Sequence, residues 1–214
     1  MKTFTIGKKK IVLKEEWMVG FITTWIVGLL AHAYRFFNFL PIWDSIYNFT
    51  GVGSTYTLGR WFLGYAGLIT SMFDLPWING AFSLFYISIV VILLTEMFEI
   101  KNKGMIVLCA AIFVSFPTVV SSFAYMYTAD AYLLAFLLAT LAVYLTWCVK
   151  KWGTIAGMVC LAFAMGIYQA YATVVIVLVL LYIIRQFVIE KLDFLEAVRK
   201  DLKYLGMLVG GAVL

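Results

Sequence analysis

Charge is scarce in this 214-residue chain: 13% of its residues are Asp, Glu, Lys or Arg, against 64% that are hydrophobic. With a mean hydropathy of +1.00, that composition excludes an ordinary soluble domain and points to a polytopic helical membrane protein. Histidine occurs once, and the three cysteines, Cys109, Cys148 and Cys160, all fall in apolar runs. There they read as small packing residues and form neither a disulfide framework nor a structural zinc site. Proline is limited to Pro41, Pro76 and Pro117, each a candidate break. The recurring ten-residue alternation of barrel strands is missing, which argues against an outer-membrane barrel.

What the chain has in quantity is apolar and aromatic. Aromatics make up 18% of the residues, with 7 Trp and 13 Tyr, enough for interfacial belts as well as core packing. Residues 17–39 form a first span, long enough at ~1.5 Å per residue to cross a ~30 Å hydrocarbon core. Residues 41–76 are mixed and broken by Pro41, Gly51, Gly53, Gly59 and Pro76. An apolar face of Trp61, Phe62, Tyr65, Leu68, Ile69 and Met72 runs through 56–73, predicting one or two short interfacial helices.

Further spans are predicted at 79–98, 105–120, where Pro117 kinks or ends the helix, and 129–149, after a turn around 121–127. Residues 153–187 would extend ~52 Å as one helix; two short spans turning near Gly166-Ile167-Tyr168-Gln169 fit better. Residues 188–204 carry Val188, Leu192, Leu195, Val198 and Leu202 opposite Lys191, Glu196, Lys200 and Lys203, which predicts a cytoplasmic amphipathic helix. Residues 205–214 start another apolar run too short to span, so the chain reads as a transmembrane domain over 1–214 cut within a seventh span, with 41–76 as its first outer loop.

The net charge of +5 follows from topology rather than from nucleic-acid binding. Lys2, Lys8, Lys9, Lys10 and Lys14 precede a run without a small-residue cleavage site, so the first span stays and the N-terminus is cytoplasmic. On that basis 14 of the 16 Lys and Arg residues face inwards. Arg35 and Arg60 face out, together with Asp44, Asp74 and Asp130, and with His32 nearby.

Ionisable groups at membrane depth are costly unless they pair, line water or meet a ligand, so these are the candidate functional residues. His32 and Arg35, three apart, share a helix face; the His could instead be packed and the Arg could snorkel to headgroups. Asp44, just past the first span, is placed to act on a substrate or to cap the next short helix. Arg60 stands in Gly59-Arg60-Trp61, where a guanidinium can bind phosphate. Asp130 opens a span beside Tyr125, Tyr127 and Thr128, Asp74 reads as a turn residue, and Tyr168-Gln169 suits either a sugar or helix packing.

These segments, Ala31-His32-Ala33-Tyr34-Arg35 with Asn38, the 41–45 segment with Asp44, Gly59-Arg60-Trp61, the 127–132 segment with Asp130, and Met165-Gly166-Ile167-Tyr168-Gln169-Ala170, resemble the type II glucosyl transferase family. Its members modify bacterial O-antigen as membrane glucosyltransferases. The resemblance implies an all-α, polytopic helical bundle of the C-type glycosyltransferase (GT-C) kind in the bacterial inner membrane. It implies a polyprenyl-phosphate sugar donor facing outward and a lipid-linked or O-antigen glycan acceptor, with membrane lipids and no nucleic acid as the other surroundings.

Transfer from such a donor needs a base for the acceptor hydroxyl and a cation for the departing phosphate. Asp44 is the expected base in an inverting displacement, and Arg60, supported by Arg35, the expected phosphate binder in place of a metal, with no obligatory cofactor. Asp130, Tyr168, Gln169 and His32 are expected to orient the substrate. A transporter or flippase is the alternative, with outward charges lining a path, and a purely structural subunit would leave Asp44 and Arg60 freely replaceable.

Overall fold

The first long helix shows how the bundle is assembled. In the computed structural model, which describes residues 2–6, 9–47, 56–70 and 74–214, helix α1 (Glu15–Phe37) buries Gly20, Thr24, Gly28, His32 and Phe36. These positions recur every fourth residue, a narrow stripe of mostly small side chains. A Cβ on Gly28 would fall 2.4 Å from a Leu84 methyl, so the glycine admits close contact with α4 (Pro76–Met97). This is how membrane helices associate, by small residues at the seam. Ile22, Ile26 and Leu30 face outward.

Helices α4 and α7 (Met126–Cys148) form the centre. Their most apolar stretches are 56% and 50% buried, against 22% for α1. Ala131, Ala135, Ala139 and Ala142 line the buried side of α7, keeping its backbone close to neighbours. Around this pair lie α5 (Lys103–Ser115), α6 (Pro117–Ala124), α8 (Gly153–Ile167) and α9 (Tyr171–Arg185). Among the described residues, five helical stretches are long and apolar enough to cross a membrane.

The breaks have local causes. Asn102 accepts from the Met105 N–H and caps α5. Pro117 occupies the first turn of α6, where a missing N–H costs nothing, and Phe116 before it is extended. Contrary to the expected turn over 121–127, residues 121–124 are helical and Tyr125 alone (φ −94°, ψ 60°) makes the reversal into α7. Residues 153–187 do divide into two helices, with the reversal at 168–170.

Between α1 and α4 the described backbone forms α2 (Trp43–Tyr47), a 3₁₀ turn (Tyr56–Leu58), α3 (Leu63–Gly67) and a second 3₁₀ turn (Leu68–Thr70). Leu63 and Ala66 are buried while Tyr65, Leu68 and Ile69 are exposed, which is the face expected to meet the interface. Gly51, Gly53 and Met72, singled out above, lie outside the described residues.

Two further features differ from the sequence reading. A two-stranded antiparallel hairpin, β1 (Lys2–Ile6) and β2 (Lys9–Leu13), precedes α1. The amphipathic helix expected over 188–204 is divided. A π-helical turn (Gln186–Glu190) ends at Lys191 with φ +53°, and α10 (Phe194–Val213) runs on through the apolar stretch that follows. Ala197, Asp201, Tyr204 and Met207 face the bundle, while Val188, Leu195 and Leu202 are exposed. The bundle-facing side mixes small, polar and large side chains, with Tyr204 and Met207 at 1% and 0% exposure.

Ion pairs mark one end of the bundle. Lys14 bonds Glu96, Lys103 bonds Glu15, and Arg185 reaches Glu99 and Glu190, with Lys200 also on Glu190. The start of α1, the end of α4, the start of α5 and the end of α9 therefore share one side. The described residues of the α1–α4 connection, 38–47, 56–70 and 74–75, and the turn at 168–170 lie at the other.

Candidate functional site

At that opposite end a cleft of about 550 Å³ opens between the α1–α4 connection, α6, α7 and the start of α9. Asp44 and Arg60 both line it, with Thr118, Ser121 and Ser122 from α6 and Tyr132, Tyr168 and Tyr171 opposite. Asp44 is exposed in the first turn of α2, where the helix dipole favours a carboxylate.

Arg60 is held mainly by rings. Its guanidinium carbon lies 4.6 Å from the centre of the Tyr168 ring, and Nη1 contacts the Tyr132 hydroxyl at 3.4 Å. Its Nε is buried with no hydrogen-bond partner, and the ion pairs found among the described residues do not include it. A cation stacked on a π face keeps its charge and its outward N–H groups for an anion.

The backbone carrying Arg60 is fixed by an interlock with the α8–α9 turn. Gln169 Nε2 donates to the Leu58 carbonyl at 2.9 Å, and the Phe62 N–H donates to the Gly166 carbonyl at 2.8 Å. A Cβ at Gly166 would fall 2.6 Å from the Trp61 indole, and one at Gly59 would fall 2.6 Å from Gln169 Nε2. Gly59 also has φ +70°, a conformation that side chains resist. Trp61 and Phe62 then pack on Phe163 at 5.5 and 4.6 Å. Two motifs a hundred residues apart thus make one joint, and Arg60 projects from it.

Asp130 is 1% exposed and does not line the cleft. Its two oxygens accept from Asn79 Nδ2 at 3.1 Å and Thr70 Oγ1 at 3.2 Å, and Asn79 Oδ1 accepts the Leu75 N–H at 3.0 Å. The carboxylate therefore ties the loop before α4 to α7. Gln169 is likewise occupied by backbone, which leaves Tyr168 as the expected substrate-orienting residue that lines the cleft.

His32 and Arg35 share a face as expected, but that face is covered by helices. His32 is 4% exposed; its Nε2–H donates to the Val114 carbonyl at 2.8 Å, and its ring lies 4.6 Å from that of Phe123. Arg35, expected to assist at a phosphate, gives Nε to the Phe123 carbonyl at 2.8 Å, Nη2 to the Ala124 carbonyl at 3.0 Å and Nη1 to the Leu40 carbonyl. It caps the C-terminus of α6, whose free carbonyls and dipole favour a cation. Neither Asp74 oxygen has a hydrogen-bond partner among the described residues. Burial pushes the Asp74 carboxyl up, with the Arg35 charge opposing.

The sequence reading passed over Thr118, Ser121, Ser122, Tyr132 and Tyr171 as site residues. The spacing of 118, 121 and 122 after a helix-starting proline puts three hydroxyls on one helix face, whereas Tyr168 and Tyr171 flank the α8–α9 turn and share no helix. The partners of Asp130 had a weaker signal, an asparagine at the start of an apolar span.

No curated protein and no solved structure matches the chain. A family model does, the one described as glucosyl transferase GtrII, over residues 33–214. The match takes in Arg35, Asp44, Arg60, Asp130, Tyr168 and Gln169 and begins one residue after His32. With five membrane-length apolar helices among its described residues and a polar cleft at one end of them, this multi-pass chain belongs to the GtrII family of glucosyl transferases.

Proposed function

We propose that the protein transfers glucose from a polyprenyl-phosphate donor to a lipid-linked or O-antigen glycan at the outer face of the bacterial inner membrane, with its ion-paired end in the cytoplasm. The observation that carries this reading is the shared cleft: a carboxylate, Asp44, and a ring-stacked cation, Arg60, line one opening at the end of the bundle. The acceptor hydroxyl oxygen attacks the anomeric carbon, and its proton passes to Asp44. The bond from that carbon to the phosphate oxygen breaks, and polyprenyl phosphate leaves with the electron pair, its charge met by Arg60.

Attack from the face opposite the phosphate inverts the anomeric centre. Tyr168 and the hydroxyls of Thr118, Ser121 and Ser122 offer ring faces and hydrogen bonds to a sugar. Arg35, His32, Asp130 and Gln169 act one step removed, by fixing α6 and the two loops that carry Asp44 and Arg60.

The test supplies purified protein in lipid nanodiscs with a lipid-linked glycan acceptor and either polyprenyl-phosphate glucose or a nucleotide glucose. Glucosylated product is expected from the first donor alone, with the anomeric configuration opposite to the donor's by NMR. Product from the nucleotide sugar, or retention of configuration, overturns the donor class or the single displacement.

A further inference from the structure

An apolar groove of about 350 Å³ adjoins the cleft, and the two share Thr118, Ser122, Tyr171 and Val174 as a common wall. Beyond that wall the lining turns apolar, with Phe113, Phe116 and Phe136 prominent. The helix break at Pro117 creates the opening, because α5 stops at Ser115 and α6 restarts at Pro117. Phe116 and Ile112 are about half exposed, at 53% and 51%, so the groove opens sideways to the surroundings of the bundle.

We propose that this groove seats the first isoprene units of the donor's lipid chain while its phosphate lies on Arg60. The inference rests on the lipid-phosphate donor proposed above. A phosphate and its first isoprene unit are joined by a single ester linkage, so a polar seat and an apolar seat for them must abut. Here they do. Arg60 stacks on Tyr168 at 4.6 Å, the Tyr168 and Tyr171 rings are 6.3 Å apart, and Tyr171 and Phe136 are 6.4 Å apart. Phe113 then stacks on Phe136 at 6.2 Å and 15°. This row of rings leads from the guanidinium into the groove. Flat, methyl-branched isoprene units suit such ring faces better than the saturated stretches of an acyl chain do.

A photo-reactive polyprenyl phosphate, carrying a diazirine near its phosphate end, tests the seat without requiring turnover. In nanodiscs it should label the 112–122 peptide, with the label displaced by unlabelled polyprenyl phosphate and not by phosphatidic acid. Displacement by both, or labelling outside the 112–122 segment and the other groove residues Leu133, Phe136, Tyr171 and Val174, overturns the proposal and assigns the groove to bulk lipid. Val119→Trp, and Ile112→Trp on the half-exposed rim, obstruct the groove without touching the cleft lining. Each should raise KM for a long-chain donor about tenfold, the worth of roughly two buried methylenes, and leave a methyl-phosphate glucose donor, which carries no isoprene unit, unchanged. Equal effects on both donors, or none on either, contradict the seat. Arg60→Ala and Asp44→Asn probe the parent reading separately: specific labelling with no loss of transfer in those variants would leave the groove standing and sink the assigned chemistry.

Discussion

At the end of the bundle where α1 begins, Lys14, Lys103, Arg185 and Lys200 each lie within 3.1 Å of a glutamate. At the opposite end Arg60 rests on a tyrosine ring and Arg35 on backbone carbonyls. The two ends use cations for different purposes. A cation already matched to a carboxylate must give up that partner to bind another anion. One held by a ring face gives up little, because the ring orients it without neutralising it. Arg35 is a third case, with its donors committed to the carbonyls that end α6. Among the described residues, the cleft end therefore holds one cation available to a ligand, and it holds it on a ring face and a fixed joint.

The comparison breaks if the cleft residues prove as replaceable as the paired ones. The largest effect is expected for Asp44→Asn, a loss of about 10² to 10⁴ in transfer, the range for removing a general base. Arg60→Ala should follow, at about 10² in kcat/KM, with unchanged folding by circular dichroism. Gly166→Leu is next: its side chain displaces Trp61 and shifts the neighbouring Arg60, which should cost about 10 to 10²-fold in kcat/KM as a positioning effect. At the paired end, Lys103→Ala should leave transfer within about twofold, because an exposed ion pair contributes little.

Asp74→Asn sharpens the picture of Arg35. Burial raises the Asp74 carboxyl more than Arg35 lowers it, so protonation favours the folded state. That contribution is complete below the ordinary carboxylate range and is lost as pH rises through the raised value. The variant should therefore melt above the parent at about pH 8, the gap closing towards about pH 4. A lower Tm at the higher pH would mean that the Arg35 attraction dominates.

Much of this was legible in the chain itself. Run lengths placed the membrane helices, and the distribution of Lys and Arg separated the two ends. Asp44 and Arg60 stood out as outward-facing charges in an apolar setting, although Asp44 could equally have been a helix cap, and they do line one cleft. The failures share a physical cause. Spacing showed that His32 and Arg35 lie on one helix face, but not that the Val114 and Phe123 carbonyls of other helices would cover it. In α10 the apolar stripe was clear, but not that Ala197, Asp201 and Tyr204 would pack against the bundle, because that depends on the neighbouring helices. The interlock of Gly59-Arg60-Trp61 with Gly166 and Gln169 depends on contacts a hundred residues apart, which no local pattern encodes.

The central claim is that Asp44 and Arg60 serve one transition state in one cleft. Its most direct test is a double-mutant cycle, measuring single-turnover transfer from polyprenyl-phosphate glucose by Asp44→Asn, Arg60→Ala and the double variant in nanodiscs. Groups that act as a unit are strongly non-additive, so the double variant should be little slower than the slower single one. Losses that simply multiply, or an Asp44→Asn variant near the parental rate, would contradict the account.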